Sequence, residues 1–355
     1  DDGRFPVLLT YDSDGRLTRR EYPAIGKALS YRHDSTGRLV GFVDLRGERF
    51  EYLYDDQARL AAVGLPDGGR LSFSYNAGDL LESVHYPNGF TKTVRYDLAG
   101  RPISVVHSDR TGTERIAWRY EYDPTGSLSR VVDVQGRETS YSHDQAGRLV
   151  EEIGPAGSFR YEYRAGGDRR AALVDDRAID YLYDVTGRLI AAGDERFAYD
   201  RRGRVVERTG ERGTTRYAWD AEDRLIAVTL ADGSVVRYGY APTGERIWRE
   251  DADGRTWLVG DGVNLLAELG EDLRVERAYW HAPGIDHPMM MWLSGEALCY
   301  HTDLLGSVAA LTDVTGSVTA SYLTDAFSNV RQVEGAAANP FIFSARFFEA
   351  ETVLY

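Results

Sequence analysis

A tyrosine followed by an aspartate recurs along this chain. Tyr122-Asp123 opens the stretch YDPTGSL, and the same pair opens YDSDGRL at 11, YDDQARL at 54, YDLAGRP at 96 and YDVTGRL at 183. A carboxylate presented this often invites a reading as an acid or a metal ligand. Its neighbours point to turn chemistry instead. Asp123 is placed to accept from the amides of its own turn, Pro124 presets φ, and Gly126 suits the left-handed position that ends the turn. No calcium-binding nonapeptide pattern accompanies the aspartates. They read as structural, with the acid or ligand role as the rival.

Other reactive side chains give weaker signals. The seven histidines stand at 33, 85, 107, 143, 281, 287 and 301. His33 and His143 fill the tyrosine slot of the repeat. Asp286-His287 and His301-x-Asp303 suggest zinc or acid–base chemistry, but their spacing matches no compact metal motif. Asp303 and Asp313 precede Gly306 and Gly316 in turn-like settings. Cys299 is the sole cysteine, so no intrachain disulfide exists, and its run Ala297-Leu298-Cys299-Tyr300 reads as a buried thiol. Ser307 in LGSVA is not a G-x-S-x-G nucleophile and is expected to shape the turn after Gly306. There is no phosphate loop. Met289 to Leu293 is expected to fill core, with a lining facing a partner as the alternative. The expected set of catalytic, cofactor-binding and metal-binding residues is therefore none, and no cofactor is expected.

The elements that carry these residues follow from the repeat. The aromatic slot, with His or Trp for Tyr in places, falls at 11, 33, 54, 75, 96, 122, 143, 163, 183, 199, 219 and 240. Leu71, Phe73 and Tyr75 alternate as a strand does, and Asn76 to Asp79 make a turn. A second strand-length run spans Leu80 to Tyr86, Pro87-Asn88-Gly89 turns again, and Phe90 to Tyr96 follows. Each unit is two short strands and two turns, and Tyr122 closes a strand with its ring over a neighbouring hairpin. The Arg before each return strand covers apolar surface with its stem and pairs with a nearby Asp. Turn signals every few residues exclude long helices. The fold class is all-β, with more than about 20 strands, and open sheets beyond about ten strands curl, split or close. Strand count alone leaves a propeller and a spiral shell both open.

Composition narrows the class. The chain has 355 residues, 23 of them Tyr and 37 Gly, and a net charge of −14. That charge excludes a generic affinity for nucleic acid or anionic membranes. No apolar run approaches the roughly 20 residues of a membrane helix. The opening DDGRF has no initiator Met or signal peptide, so the chain reads as a fragment or a processed piece.

The recurring YDxxGRL resembles the Rhs/YD-repeat family over essentially the whole chain. Residues 278–355 resemble the Rhs repeat-associated core through His301, Asp303, Leu305, Gly306, Ser307, Val308, Leu311, Thr312, Asp313 and Gly316, then Asn339, Pro340, Phe343, Arg346, Glu351, Thr352, Leu354 and Tyr355. Thr324, Ser328, Ala345 and Val353 depart from the family pattern. The resemblance implies a hollow β-shell wound as a spiral, with a YD-repeat segment over 1–277 and a core-like segment over 278–355. It implies a non-catalytic wall that encapsulates a toxin domain for secretion or delivery to a target cell, as in polymorphic toxins of interbacterial competition. The implied partners are a toxin cargo in the lumen and a second shell subunit or delivery protein. Two other functions follow from the same family: an adhesion or glycan-binding module, and part of an aspartate-dependent self-cleaving precursor. The family continues past Tyr355 into its cleavage segment and toxin, and the dozen units imply a truncated shell or one completed by a partner.

Overall fold

A computed structural model describes residues 5–282, 287–293, 295–327, 329–335, 339–342, 349 and 352. Alternation along each segment makes the strands. In β5 (Arg49–Tyr54), Phe50 and Tyr52 are buried while Arg49, Glu51 and Leu53 face out. Among the described residues there are 32 strands, numbered in chain order from β1 (Leu8–Tyr11) to β32 (Val330–Gly335), and one short helical turn at Pro23–Ile25. They form one 32-stranded sheet. Each strand pairs antiparallel with the next in sequence, as in the run β7 (Arg70–Tyr75), β8 (Leu81–His85), β9 (Thr91–Tyr96). The ladder is not divided into blades, and it continues past residue 277 through β27 (Val275–His281) and β28 (Pro288–Leu293). β1 and β32 do not pair with each other, so the sheet is open.

The connections are those the turn chemistry requires. In YDPTGSL, the Gly126 amide donates to the Asp123 carbonyl at 2.9 Å and the Asp123 amide donates to Ser127 O at 2.8 Å. Gly126 holds φ at 90°. Only glycine adopts that angle at little cost, and the extra residue bulges the strand, shifting the register at Tyr122.

Cross-strand partners share a face, so register traces one face along the whole ribbon. On it lie Tyr31, Phe42, Phe50, Tyr52, Val63, Leu71 and Phe73, then Val84, Lys92 and His107, and far downstream Leu258, Glu268, Tyr279, Met291, Tyr300 and Leu311. The largest core cluster joins Leu29, Phe42, Phe50, Tyr52 and Leu71 of this face to Val259, Ala267, Leu269, Trp280 and Cys299, which lie on the opposite face of the later strands. The inner face of the first strands therefore packs against the back of the last ones. The sheet is rolled like a scroll, with its final strands inside the curl. A second cluster, Tyr279, Met291, Leu298, Tyr300 and Leu311, lies on the inner face of those final strands and is covered by Phe341.

Candidate functional site

The recurring pair forms a staple between units. Asp97 Oδ1 accepts from the Ala99 and Arg101 amides, both at 2.9 Å, and Oδ2 accepts from Arg101 Nε at 2.7 Å. The Arg101 guanidinium lies 4.6 Å from the ring centre of Tyr122 in the next unit. The Tyr122 hydroxyl donates to Pro102 O, the residue after that arginine, at 2.7 Å. Arg38 with Tyr54, Arg59 with Tyr75, Arg188 with Tyr199 and Arg224 with Tyr240 repeat the arrangement. At 219 the indole Nε1 donates to Val205 O at 2.8 Å in place of a hydroxyl. Hydrogen bonding, first of all from the Arg101 amide, holds the Asp97 carboxyl below its usual range. Every oxygen of this carboxylate is committed to its own turn, so it is neither a poised acid nor an open ligand.

Where the coils of the scroll meet, the structure assembles polar residues that are far apart in sequence. His107 and His301 are both fully buried, with their Nδ1 atoms 2.9 Å apart. His107 Nε2 lies 3.1 Å from Thr302 O, which can only accept, so that nitrogen carries the proton. Nδ1 of neutral His107 then accepts from His301 Nδ1. His301 Nε2 in turn accepts from the Thr312 hydroxyl at 2.7 Å, and Asn88 Nδ2 donates to that hydroxyl at 2.8 Å. Lys92 Nζ donates to Thr302 Oγ1 at 2.8 Å. The chain of bonds is complete with both imidazoles neutral. Burial holds both rings below the ordinary histidine range. The rings of Tyr86 and Phe90 pack on His301 at 5.3 and 4.8 Å. Burial also pushes Lys92 down to about 8 and the Asp303 carboxyl up to about 6.

The pairing of His301 with Asp303 suggested by sequence is not made, because Asp303 turns away to bind the Leu305 and Ser307 amides at 2.8 and 2.9 Å. Ser307 closes that turn, as expected. Cys299 is buried, and burial pushes its thiol up to about 12. His281 is buried with Nε2 2.9 Å from Leu265 O. Met291 is fully buried and Met289 and Met290 pack on the main core, so this run fills core. Asp286, Ser328, Phe343, Ala345, Arg346, Glu351, Val353, Leu354 and Tyr355 lie outside the described residues. Sequence reasoning missed Lys92, Asn88 and Glu152. Lys92 carried one signal: it is one of two lysines in an arginine-rich chain. Glu152 is buried on the inner face, accepts from the Ala326 amide at 2.9 Å, and is pushed up to about 7 by burial.

Cavities remain between the coils. One, of about 600 Å³, is bounded by Leu29, Phe42, Phe50, Trp280 and Met290. Another, of about 540 Å³, is bounded by Trp118, Tyr120, Tyr141, Leu304, Tyr322 and Asp325. Among the described residues no group of three or more His, Cys, Asp and Glu is placed to hold a metal ion. Nor, among the described residues, is any helix long and apolar enough to cross a membrane.

A rolled, open ribbon of stapled hairpins defines a class of wall-forming β-repeat proteins. The chain belongs to the YD-repeat shell family: residues 2–174 and 132–257 match the family described as Teneurin YD-shell. It is 25% identical over 360 residues to the tRNA3(Ser)-specific nuclease WapA of Bacillus spizizenii, covering 98% of this chain and 14% of that protein. It is 27% identical over 349 residues to Double-stranded DNA deaminase toxin A of Burkholderia cenocepacia, covering 82% of this chain and 24% of that protein. Its fold is shared with the crystal structure of TcdB2-TccC3-Cdc42, at a TM-score of 0.69 and 13% identity over 99% of this chain and 22% of that one. The chain thus spans less than a quarter of the length of each of these proteins.

Proposed function

We propose that this chain is a length of wall in a hollow shell that encloses a toxin cargo, and that the wall itself does no chemistry. The observation that carries this reading is the scroll: in a 32-stranded ribbon the inner face of the first strands packs on the back of the last, so that later strands lie inside earlier ones. The relatives support it. One is named for cutting tRNA and another for deaminating double-stranded DNA, yet both share this hairpin array, which is a small part of each. A module common to proteins of different named activities suits a container better than a catalyst. Residues 278–355 act as the core-like end nearest the cargo, since the inner face of their strands is turned toward the inside of the curl. A second shell subunit or a delivery protein completes the wall, and the assembled particle is secreted or delivered to a target cell.

Limited proteolysis of the full-length protein tests this reading. Its downstream region is expected to survive protease while the wall is intact and to be digested once the wall is opened by denaturant. Digestion of that region at the rate of the same region expressed alone contradicts it.

A further inference from the structure

We propose that the cavity between the inner face of the first strands and the back of the last is a binding site for an apolar primary amine in its protonated form. Its floor is apolar. Leu29, Phe42 and Phe50 bound it from one coil, and Trp280, Met290 and Ala297 from the other. The Phe42 and Phe50 rings lie 5.8 Å apart, and Phe50 stacks on Trp280 at 6.4 Å, so ring packing sets the wall. A space of about 600 Å³ among such side chains lies within the ordinary range for small-molecule sites. An alkyl or aryl group placed there removes apolar surface from water on both guest and wall.

Charge at the mouth selects the head group. Among the described residues, five carboxylates bound the cavity, those of Asp44, Glu48, Asp67, Glu296 and Asp313, beside one guanidinium, that of Arg46. Three of the carboxylates are committed. Asp44 pairs with Arg46 at 2.8 Å, and Asp67 and Asp313 each accept from an amide of their own turn at 2.8 Å. Arg46 is committed too, with its guanidinium 4.4 Å from the ring centre of Trp292. Glu48 and Glu296 are exposed, and their side chains have no partner among the described residues. An ammonium at the mouth meets these two charges while its chain lies against the rings. A carboxylate head meets repulsion there, and a neutral head gains the burial alone. The inference is independent of whether the shell encloses a cargo.

The probes are n-octylammonium, n-octanol and n-octanoate, titrated by calorimetry into the intact chain at neutral pH. The ammonium is expected to bind one to one and most tightly, the alcohol next and the carboxylate least. It is expected to shift the methyl resonance of Met290 and not that of Met289, which does not bound the cavity. Glu48→Gln combined with Glu296→Gln changes two exposed positions and leaves the fold intact. The pair of changes is expected to weaken the ammonium about fivefold, the worth of two exposed ion pairs, and to leave the alcohol unchanged. Failure of the ammonium to bind overturns the proposal. So does equal binding of the three probes, an unchanged ammonium affinity in the double variant, or a Met290 resonance that does not move.

Discussion

Tyrosine and aspartate have separate tasks in each unit. Asp97 ties its own turn, whereas the Tyr122 hydroxyl ties one unit to the one before it. Tyr122→Phe keeps the ring under Arg101 and leaves Pro102 O without its donor. The expected cost is about 1 kcal/mol, read as a lower urea midpoint with an unchanged slope. The turn role of the aspartate was legible because its partners lie two and four residues away. The acceptor of the tyrosine was not, because it stands 20 residues back and is found only once strand adjacency is known. The histidine pair was hidden for the same reason more strongly, its members being 194 residues apart.

That pair also sets a pH response. With both imidazoles held neutral, the native chain binds fewer protons than the unfolded chain below the ordinary histidine value of 6.5. Their contribution is complete above that value and is lost as pH falls below it. Asp303 and Glu152 act in the opposite sense. Their raised values let the native chain hold protons that the unfolded chain releases, which adds stability as pH falls through about 6 and about 7 toward their ordinary values. Urea midpoints between pH 7.5 and 4.5 are therefore expected to fall less steeply when His107 and His301 are both changed to Gln. They are expected to fall more steeply with Asp303→Asn. Unchanged slopes in both variants contradict this account.

At the scale of the hairpin, the strands around Leu71–Tyr75 and the turns between them stand where alternation and turn residues put them. The 32 strands agree with the expectation of more than about 20, although the repeat marked by its aromatic was followed only as far as Tyr240. The later hairpins turn after Gly260, Thr302 and Thr324, where the aromatic that marks the unit is missing while the pairing continues, and after His281, whose ring stands in the slot with Nε2 2.9 Å from Leu265 O. The turn also explains which substitutions it resists. Ala58 occupies the left-handed position that glycine takes elsewhere, at φ 62°. Ala58→Gly removes the Cβ clash that an L-residue meets there and is expected to stabilise by roughly 0.5–1 kcal/mol. A thermal melt showing no change or a loss would count against this reading of the turn.

At the scale of the molecule, neither the direction of rolling nor the contact of inner face with back face follows from any local pattern. Both depend on residues more than 200 positions apart, such as Trp280 Nε1 donating to the Tyr52 hydroxyl at 3.2 Å, with the Trp280 ring stacked 6.4 Å from Phe50. Trp280→Ala leaves a void between the coils and is expected to cost about 3–5 kcal/mol. Hydrogen exchange is expected to rise on both sides of the contact, in β5 and in β27. A rise confined to β27 would mean that the coils are not packed as one core.

On the proposed function, the inward face is the inside of a container. A single-particle reconstruction of the full-length protein tests it most directly. A closed or capped wall with cargo density on the side of Tyr52, Tyr120 and Tyr300 is the expected result. Cargo density on the opposite face, or a solid interior with no lumen, would contradict it.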